Sequence, residues 1–179
     1  MQLCEEVADG LSVRGHAVTV LTSTRCDGAE IVRPYPVCRL LSLDPDWHSS
    51  KSAAWQFFVG RRRREQQAVA FLHRLVAEFR PDVIFIWHAI GLPRVLLHEA
   101  EQMPSAPVVY YLAGYLPELP DEYIAYWKAQ PMHWLAKLVK RPLSKLALDM
   151  LAREGKPIPL KYERVICVSD YVRRRLASQ

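Results

Sequence analysis

Val165-Ile166-Cys167-Val168, followed by Ser169-Asp170-Tyr171-Val172-Arg173, decides the fold class. A β-branched, apolar run of strand length leads directly into a helix opened by Ser and Asp. Those two residue types cap helix starts, because their side chains accept from the free N–H groups of the first turn. The same alternation recurs upstream. Gln2 to His16 places Leu3, Val7 and Leu11 on one helical face and Glu5, Glu6 and Asp9 on the other. Gly15 stops that helix where left-handed geometry is needed, and Val18 to Leu21 follows as a buried strand. Ala54 to Phe79 carries a long helical pattern, broken by charge at Arg61 to Arg64 and ended by Pro81-Asp82. Val83 to Trp87 reads as a strand, Gly91 to Gln102 as a helix, and Val108 to Leu112 as a strand.

Two stretches read as irregular. Residues 24–50 are rich in Pro, Asp and Ser, with a short strand at Ile31-Val32. Residues 113–131 hold Gly114, Pro117, Pro120 and Pro131 among aromatics, too many breakers for one regular element. Met132 to Glu154 is amphipathic, with Trp134, Leu138, Leu143 and Leu146 on its apolar stripe; Pro142 kinks or splits it. Strands alternating with helices predict an α/β fold: one Rossmann-like, doubly wound parallel sheet in a single domain over 1–179. Such sheets bind ligands beyond the carboxyl ends of their strands. Candidate residues are therefore those just after Leu21, Trp87, Leu112 and Val168.

Composition sets wider bounds. The chain has 179 residues, 50% of them hydrophobic, and a formal charge of +5. That is enough for one domain with a core, with a surface that suits anionic partners without choosing among them. Cys4, Cys26, Cys38 and Cys167 form no CxxC pair, and Cys4 and Cys167 fall in apolar patterns, which indicates a reducing compartment. No apolar run approaches the length of a spanning helix. Glu5, Glu6 and Asp9 stand where a signal peptide would be basic and then apolar. These features predict a cytoplasmic protein, with the inner membrane face as a second location.

Each candidate has two readings. His88 follows a strand end and could recognise or deprotonate a hydroxyl; it could equally cap a helix. His16 sits at the amino end of its strand, the wrong end for chemistry. Thr22 and Ser23 end that strand at the right face, though turn roles are common for such residues. Tyr115 and Asp121 belong to an aromatic-acidic cluster with Glu122, Tyr123, Tyr126 and Trp127. Rings stack on sugar C–H faces and carboxylates accept from sugar hydroxyls. The alternative is a loop packed on the core, which is the preferred reading for Tyr126 and Trp127. Ser169 is explained by capping, with ligand contact second. Trp134, Lys137, Lys140, Arg141 and Lys145 form a basic amphipathic face that fits either solvent or an anionic membrane. Nucleic acid is disfavoured, because no aromatic residues interleave with the charge on a strand. No metal-ligand spacing, hydrolase triad or phosphate-binding Gly loop occurs.

RGHAVTVLTS, RPDVIFIWH, APVVYYLAGY and VICVSDYVRRRL, in that order and spacing, resemble the N-terminal half of family-four glycosyltransferases. The resemblance covers essentially the whole chain and is weakest between Thr24 and Arg80. Trp87-His88, Tyr110-Tyr111-Leu112 and PDEYIAYW resemble one branch of that family. It implies one half of a GT-B fold, whose N-terminal domain binds the acceptor and whose C-terminal domain grips a nucleotide-sugar. The implied reaction retains anomeric configuration and needs no metal or other cofactor. The implied acceptor is a glycan or a lipid-linked species. Many members place His at the position of Ala113, and a related branch has an acid at that of Gly114. No catalytic role is therefore carried over, and both positions stand as acceptor-side candidates. A non-catalytic sugar- or membrane-binding module is the alternative.

The family's first strand and Gly-rich loop would precede Met1, and its donor domain would follow Gln179. The expectation is an interior piece of a longer transferase. A missing first strand would lie between those at Val18 and Val83, leaving the domain marginally stable or pairing those two strands directly. The 179-residue chain alone is expected to transfer no sugar; turnover of any nucleotide-sugar by it, followed by product chromatography, would refute this.

Overall fold

The computed structural model describes residues 2–24, 32–41, 56–87, 91–112, 122–129, 134–155 and 158–177. In chain order these are α1 (Gln2–Val13), β1 (Val20–Ser23), β2 (Val37–Leu41), a π-helical turn (Gln56–Gly60), α2 (Arg61–Phe79), β3 (Ile84–Trp87), α3 (Arg94–Gln102), β4 (Val108–Leu112), α4 (Glu122–Lys128), α5 (Trp134–Arg153), β5 (Val165–Cys167) and α6 (Asp170–Ala177). All strand pairs are parallel, as the alternation with helices requires. They form a two-stranded sheet, β1-β2, and a three-stranded sheet in the order β3-β4-β5. The mixed α/β arrangement is Rossmann-like.

Register decides which side chains share a face. Ile86 stands opposite Tyr110, and Tyr110 opposite Val165. The face carrying Ile86, Tyr110 and Leu112 meets Leu72 of α2 and Leu96, Leu97 and Ala100 of α3 in the main core, which Leu41 of β2 also joins. Tyr110 and Leu112 are 1% and 0% exposed, so this contact is the centre of the domain. The opposite face carries Phe85 and Ile166, which stay 40% and 47% exposed. Parallel sheets are usually covered on both sides; among the described residues this one is packed firmly on one.

Several expectations change. β1 and β3 do not pair, so the direct closure expected between those two strands is not what the chain does. The short strand was expected at Ile31-Val32; Val32 is 95% exposed and outside any strand, and the pairing segment is Val37–Leu41. Parallel pairing with β1, a long-range partner, overrides the weak local signal. The irregular 113–131 stretch contains the helix α4. Of the two readings of Pro142, a kink or a split, the split is not what occurs: α5 runs continuously through it. Pro142 is on the exposed side, where water can serve the carbonyl it leaves unbonded. The Leu3, Val7 and Leu11 stripe of α1 is more than a third exposed, while its acidic side is engaged. Arg33 donates to Asp9 at 2.6 Å and Glu5 at 2.8 Å, and the Tyr35 hydroxyl donates to Asp9 at 2.7 Å.

Gly15 stops α1 as expected. Its φ is +88°, its N–H donates to Ser12 O, and the His16 N–H donates to Leu11 O. This is the two-bond C-terminal cap that a left-handed glycine permits. The second element to hold is α3, through Glu101. Its carboxylate accepts from the buried Tyr110 hydroxyl at 2.8 Å and from the N–H groups of Lys161 and Tyr162 at 2.9–3.1 Å. Replacing Glu101 by Ala strands a buried hydroxyl and two amides. It should cost about 2 kcal/mol, seen as a lower urea midpoint together with faster amide exchange at Lys161 and Tyr162.

Candidate functional site

The carboxyl ends of the strands are Thr22 and Ser23 of β1, Leu41 of β2, Trp87 of β3 and Leu112 of β4, and Arg39 lies in the middle of β2. Thr22 stands in register with Arg39, and the pairing shifts at Ser23. Ser23 is buried. Arg39 is half-buried, and its Nε is enclosed with no acceptor within reach among the described residues. An enclosed guanidinium N–H is costly unless something accepts from it. Thr22 is the partner of Arg39 across the strand pair, one residue before the carboxyl end of β1, the end of a parallel sheet where ligands bind. Arg39 was overlooked because residues 24–50 read as loop; the signal was a single charge inside the apolar run Val37–Leu41 after Pro36.

The ends of β3 and β4 are locked by their rings. Trp87 stacks on Tyr111 at 4.1 Å and 10°, and Phe85 tilts against Trp87 at 5.8 Å. His88, Ala113, Gly114, Tyr115 and Asp121 lie outside the described residues. Ser169, past the end of β5, accepts from the Val172 N–H at 3.4 Å and so caps α6. Capping uses its lone pairs and leaves the hydroxyl proton to donate. Thr22 and Ser169 are thus the two acceptor candidates that the structure describes. Thr22 belongs to the two-stranded sheet, and Ser169 follows the last strand of the three-stranded one.

The basic candidates divide. Lys140 donates to Tyr126 O and Ala129 O, each at 2.8 Å, and lies 4.2 Å from the Tyr126 ring centre. It therefore caps the carbonyl end of α4, where a cation is favoured, and its charge is turned inward. Partial burial lowers its pKa. Arg141 and Lys145 are exposed on α5; Trp134 and Lys137 are placed only as positions in that helix. The Arg61–Arg64 run is no uniform solvated face either. Arg61 is buried, with its guanidinium 5.2 Å and 5.3 Å from the Phe57 and Tyr123 ring centres. It ion-pairs with Glu154, which also meets Arg62 at 3.2 Å. These contacts clasp a second core of Phe57, Tyr123, Trp127 and Ala147. Tyr123 and Trp127, four residues apart on α4, point into it together.

Among the described residues no cluster of His, Cys, Asp or Glu is arranged to hold a metal ion. None of the described helices is long and apolar enough to cross a membrane. The family described as Glycosyltransferase Family 4 matches residues 2–179. The chain belongs to that family. Membership covers the main sheet, the strand ends and the aromatic second core alike, and it supports glycosyl transfer as the general function. Comparison with curated proteins and with solved structures gave no significant match.

Burial pushes the Glu154 carboxyl up, but hydrogen bonds and charge from Arg61 and Arg62 outweigh it and hold the group below the usual carboxylate range. A lowered folded pKa means that the stabilisation is complete above the ordinary value of about 4.3 and is lost as pH falls through the folded one. Glu154→Gln should therefore lower the urea midpoint at pH 7, and the gap to the parent chain should narrow at pH 3. An equal gap at both pH values would remove Glu154 as the titrating clasp.

Proposed function

We propose that this chain is the acceptor-binding domain of a retaining glycosyltransferase. The full enzyme would move a hexose from a nucleotide-sugar, held by a further C-terminal domain, to a glycan or lipid-linked acceptor, with no metal or other cofactor. The observation that supports this most is the enclosed Arg39 Nε on the residue opposite Thr22, which stands one residue before the carboxyl end of β1. A family-four chain with a donor that lacks an acceptor among the described residues, opposite Thr22, is suited to a polyhydroxylated ligand. The guanidinium would accept no proton and so orients a sugar oxygen rather than activating it. Thr22 would exchange hydrogen bonds with a neighbouring hydroxyl. His88, Ala113, Gly114, Tyr115 and Asp121 follow the ends of β3 and β4 in sequence, and Ser169 follows β5, so all remain acceptor-side candidates.

A second reading has a specific observation behind it. Arg141 and Lys145 are exposed one turn apart on α5, the same helix exposes Leu146 at 54%, and Val59 is 59% exposed at the π-helical turn. Cations beside exposed apolar groups suit an anionic lipid surface. This favours a cytoplasmic protein resting on the inner membrane face. Trp134 and Lys137 would join that surface, while Lys140 would support it from within.

The acceptor reading is tested with ligand-observed NMR on a panel of methyl glycosides of glucose, galactose, mannose and N-acetylglucosamine. At least one should saturate the chain in the millimolar range. Arg39→Met should weaken it roughly tenfold, about 1.4 kcal/mol, with Arg39→Lys recovering part of the loss and Thr22→Val costing less. A panel with no binder, or equal affinity in the parent chain and Arg39→Met, would sink the reading.

A further inference from the structure

A groove of ≈ 580 Å³ runs along the face of β5, between α3, the 158–164 segment and α6. That volume is in the range of small-molecule sites, about 300–1,000 Å³. Val165 and Cys167 form its floor, on the side of the sheet shared with Tyr110 and Leu112. Leu160 and Leu176 add apolar walls. Arg94, Lys161 and Arg173 bring three positive charges to it. Glu163 is the one acid among the described lining residues, with its carboxylate 3.6 Å from Arg164, and Arg173 Nε donates to Asp170 at 2.9 Å, leaving its terminal N–H groups for the groove.

The groove is held in shape. Arg94 donates to Ile158 O at 3.1 Å, which fixes its guanidinium at the rim and leaves further N–H groups. Tyr162, also in the lining, has φ +46°, an uncommon backbone conformation for a bulky residue. Glu101 holds it there by accepting its N–H and that of Lys161, and its ring tilts against Tyr110 at 4.8 Å. Such strain persists only where the surroundings impose it, and it concentrates at ligand sites. Burial raises the Tyr162 pKa while the Arg94 charge opposes the rise, so hydroxyl and guanidinium are within electrostatic reach of each other.

We propose that this groove binds an aliphatic anion, with its phosphate or carboxylate at Arg94 and Arg173 and its chain along Leu160, Val165 and Leu176. The site goes beyond the acceptor reading, since it lies along a strand face and uses none of Thr22, Ser23 or Arg39. Charge selects an anion over a neutral lipid. The apolar walls select a chain over a bare phosphate.

Cys167 supplies a reporter within the site, and Cys4 on α1 supplies an internal control. The 179-residue chain is alkylated with iodoacetamide, and both rates are read by peptide mass spectrometry with decyl phosphate, inorganic phosphate or decanol present. Decyl phosphate at four times its Kd should slow Cys167 about fivefold and leave Cys4 unchanged, with little effect from the other two. Arg94→Met and the more exposed Arg173→Gln should each weaken this protection severalfold. Equal slowing of both cysteines, no slowing of Cys167, equal protection by decanol, or full protection in Arg173→Gln as well as Arg94→Met would overturn the assignment.

Discussion

A hydroxyl at the bottom of an apolar core must find an acceptor, and the rest of this domain is arranged around how Tyr110 finds one. Tyr110 sits in β4 with 1% of its surface exposed, and Glu101 at the end of α3 accepts the hydrogen bond from its hydroxyl. The same carboxylate takes the amides of Lys161 and Tyr162. One side chain thereby ties the central strand, the helix before it and the segment that leads into β5. Burial and the Glu101 charge both raise the Tyr110 pKa, so the hydroxyl stays protonated and remains a donor across the ordinary pH range. The shape of the groove beside β5 follows from that tie, because Tyr162 is held in its left-handed conformation by it.

The second core works by a different balance. Its aromatic side chains are contributed by the π-helical turn and by α4, with α5 beneath them. Rings bury large areas, but they leave the buried guanidinium of Arg61 to be neutralised. Glu154 does this, while Phe57 and Tyr123 lend their negative ring faces. Breaking such a pair on one side only leaves an uncompensated charge, which is why it constrains the cluster more strongly than an exposed pair would. Lys140 does the corresponding work at the end of α4. Charges that look like surface decoration in the sequence are thus spent on holding the helices together, and the cations left for partners are fewer than the composition implies.

Legibility in the sequence followed the range of the interactions. β3, β4 and β5 were readable because an apolar, β-branched run is enough to specify a buried strand. The end of α1 was readable because Gly15 meets a local backbone requirement. β2 was not, because its apolar run is short, carries Arg39 and is stabilised by pairing with β1. α4 was hidden by the prolines around it, and its signal was only the spacing of Tyr123 and Trp127. Arg39 was missed for the same reason as its strand. Expectations for His88, Ala113, Gly114, Tyr115 and Asp121 rest on the order of the sequence, since these residues follow strand ends whose position is known.

The sequence by itself determined the α/β class, the parallel alternation, most element positions and the family, because these depend on periodicity and on the order of short segments. Among the described residues, tertiary structure alone decided which charges are exposed and which are buried, which faces of the sheet are covered, and where an arginine is enclosed without an acceptor. Those outcomes depend on residues brought together from distant parts of the chain: Arg61 meets Glu154, Lys140 meets Tyr126, and Glu101 meets Tyr162. Local pattern carries no record of such meetings, since each is set by the packing of whole elements rather than by the preferences of the residues that touch.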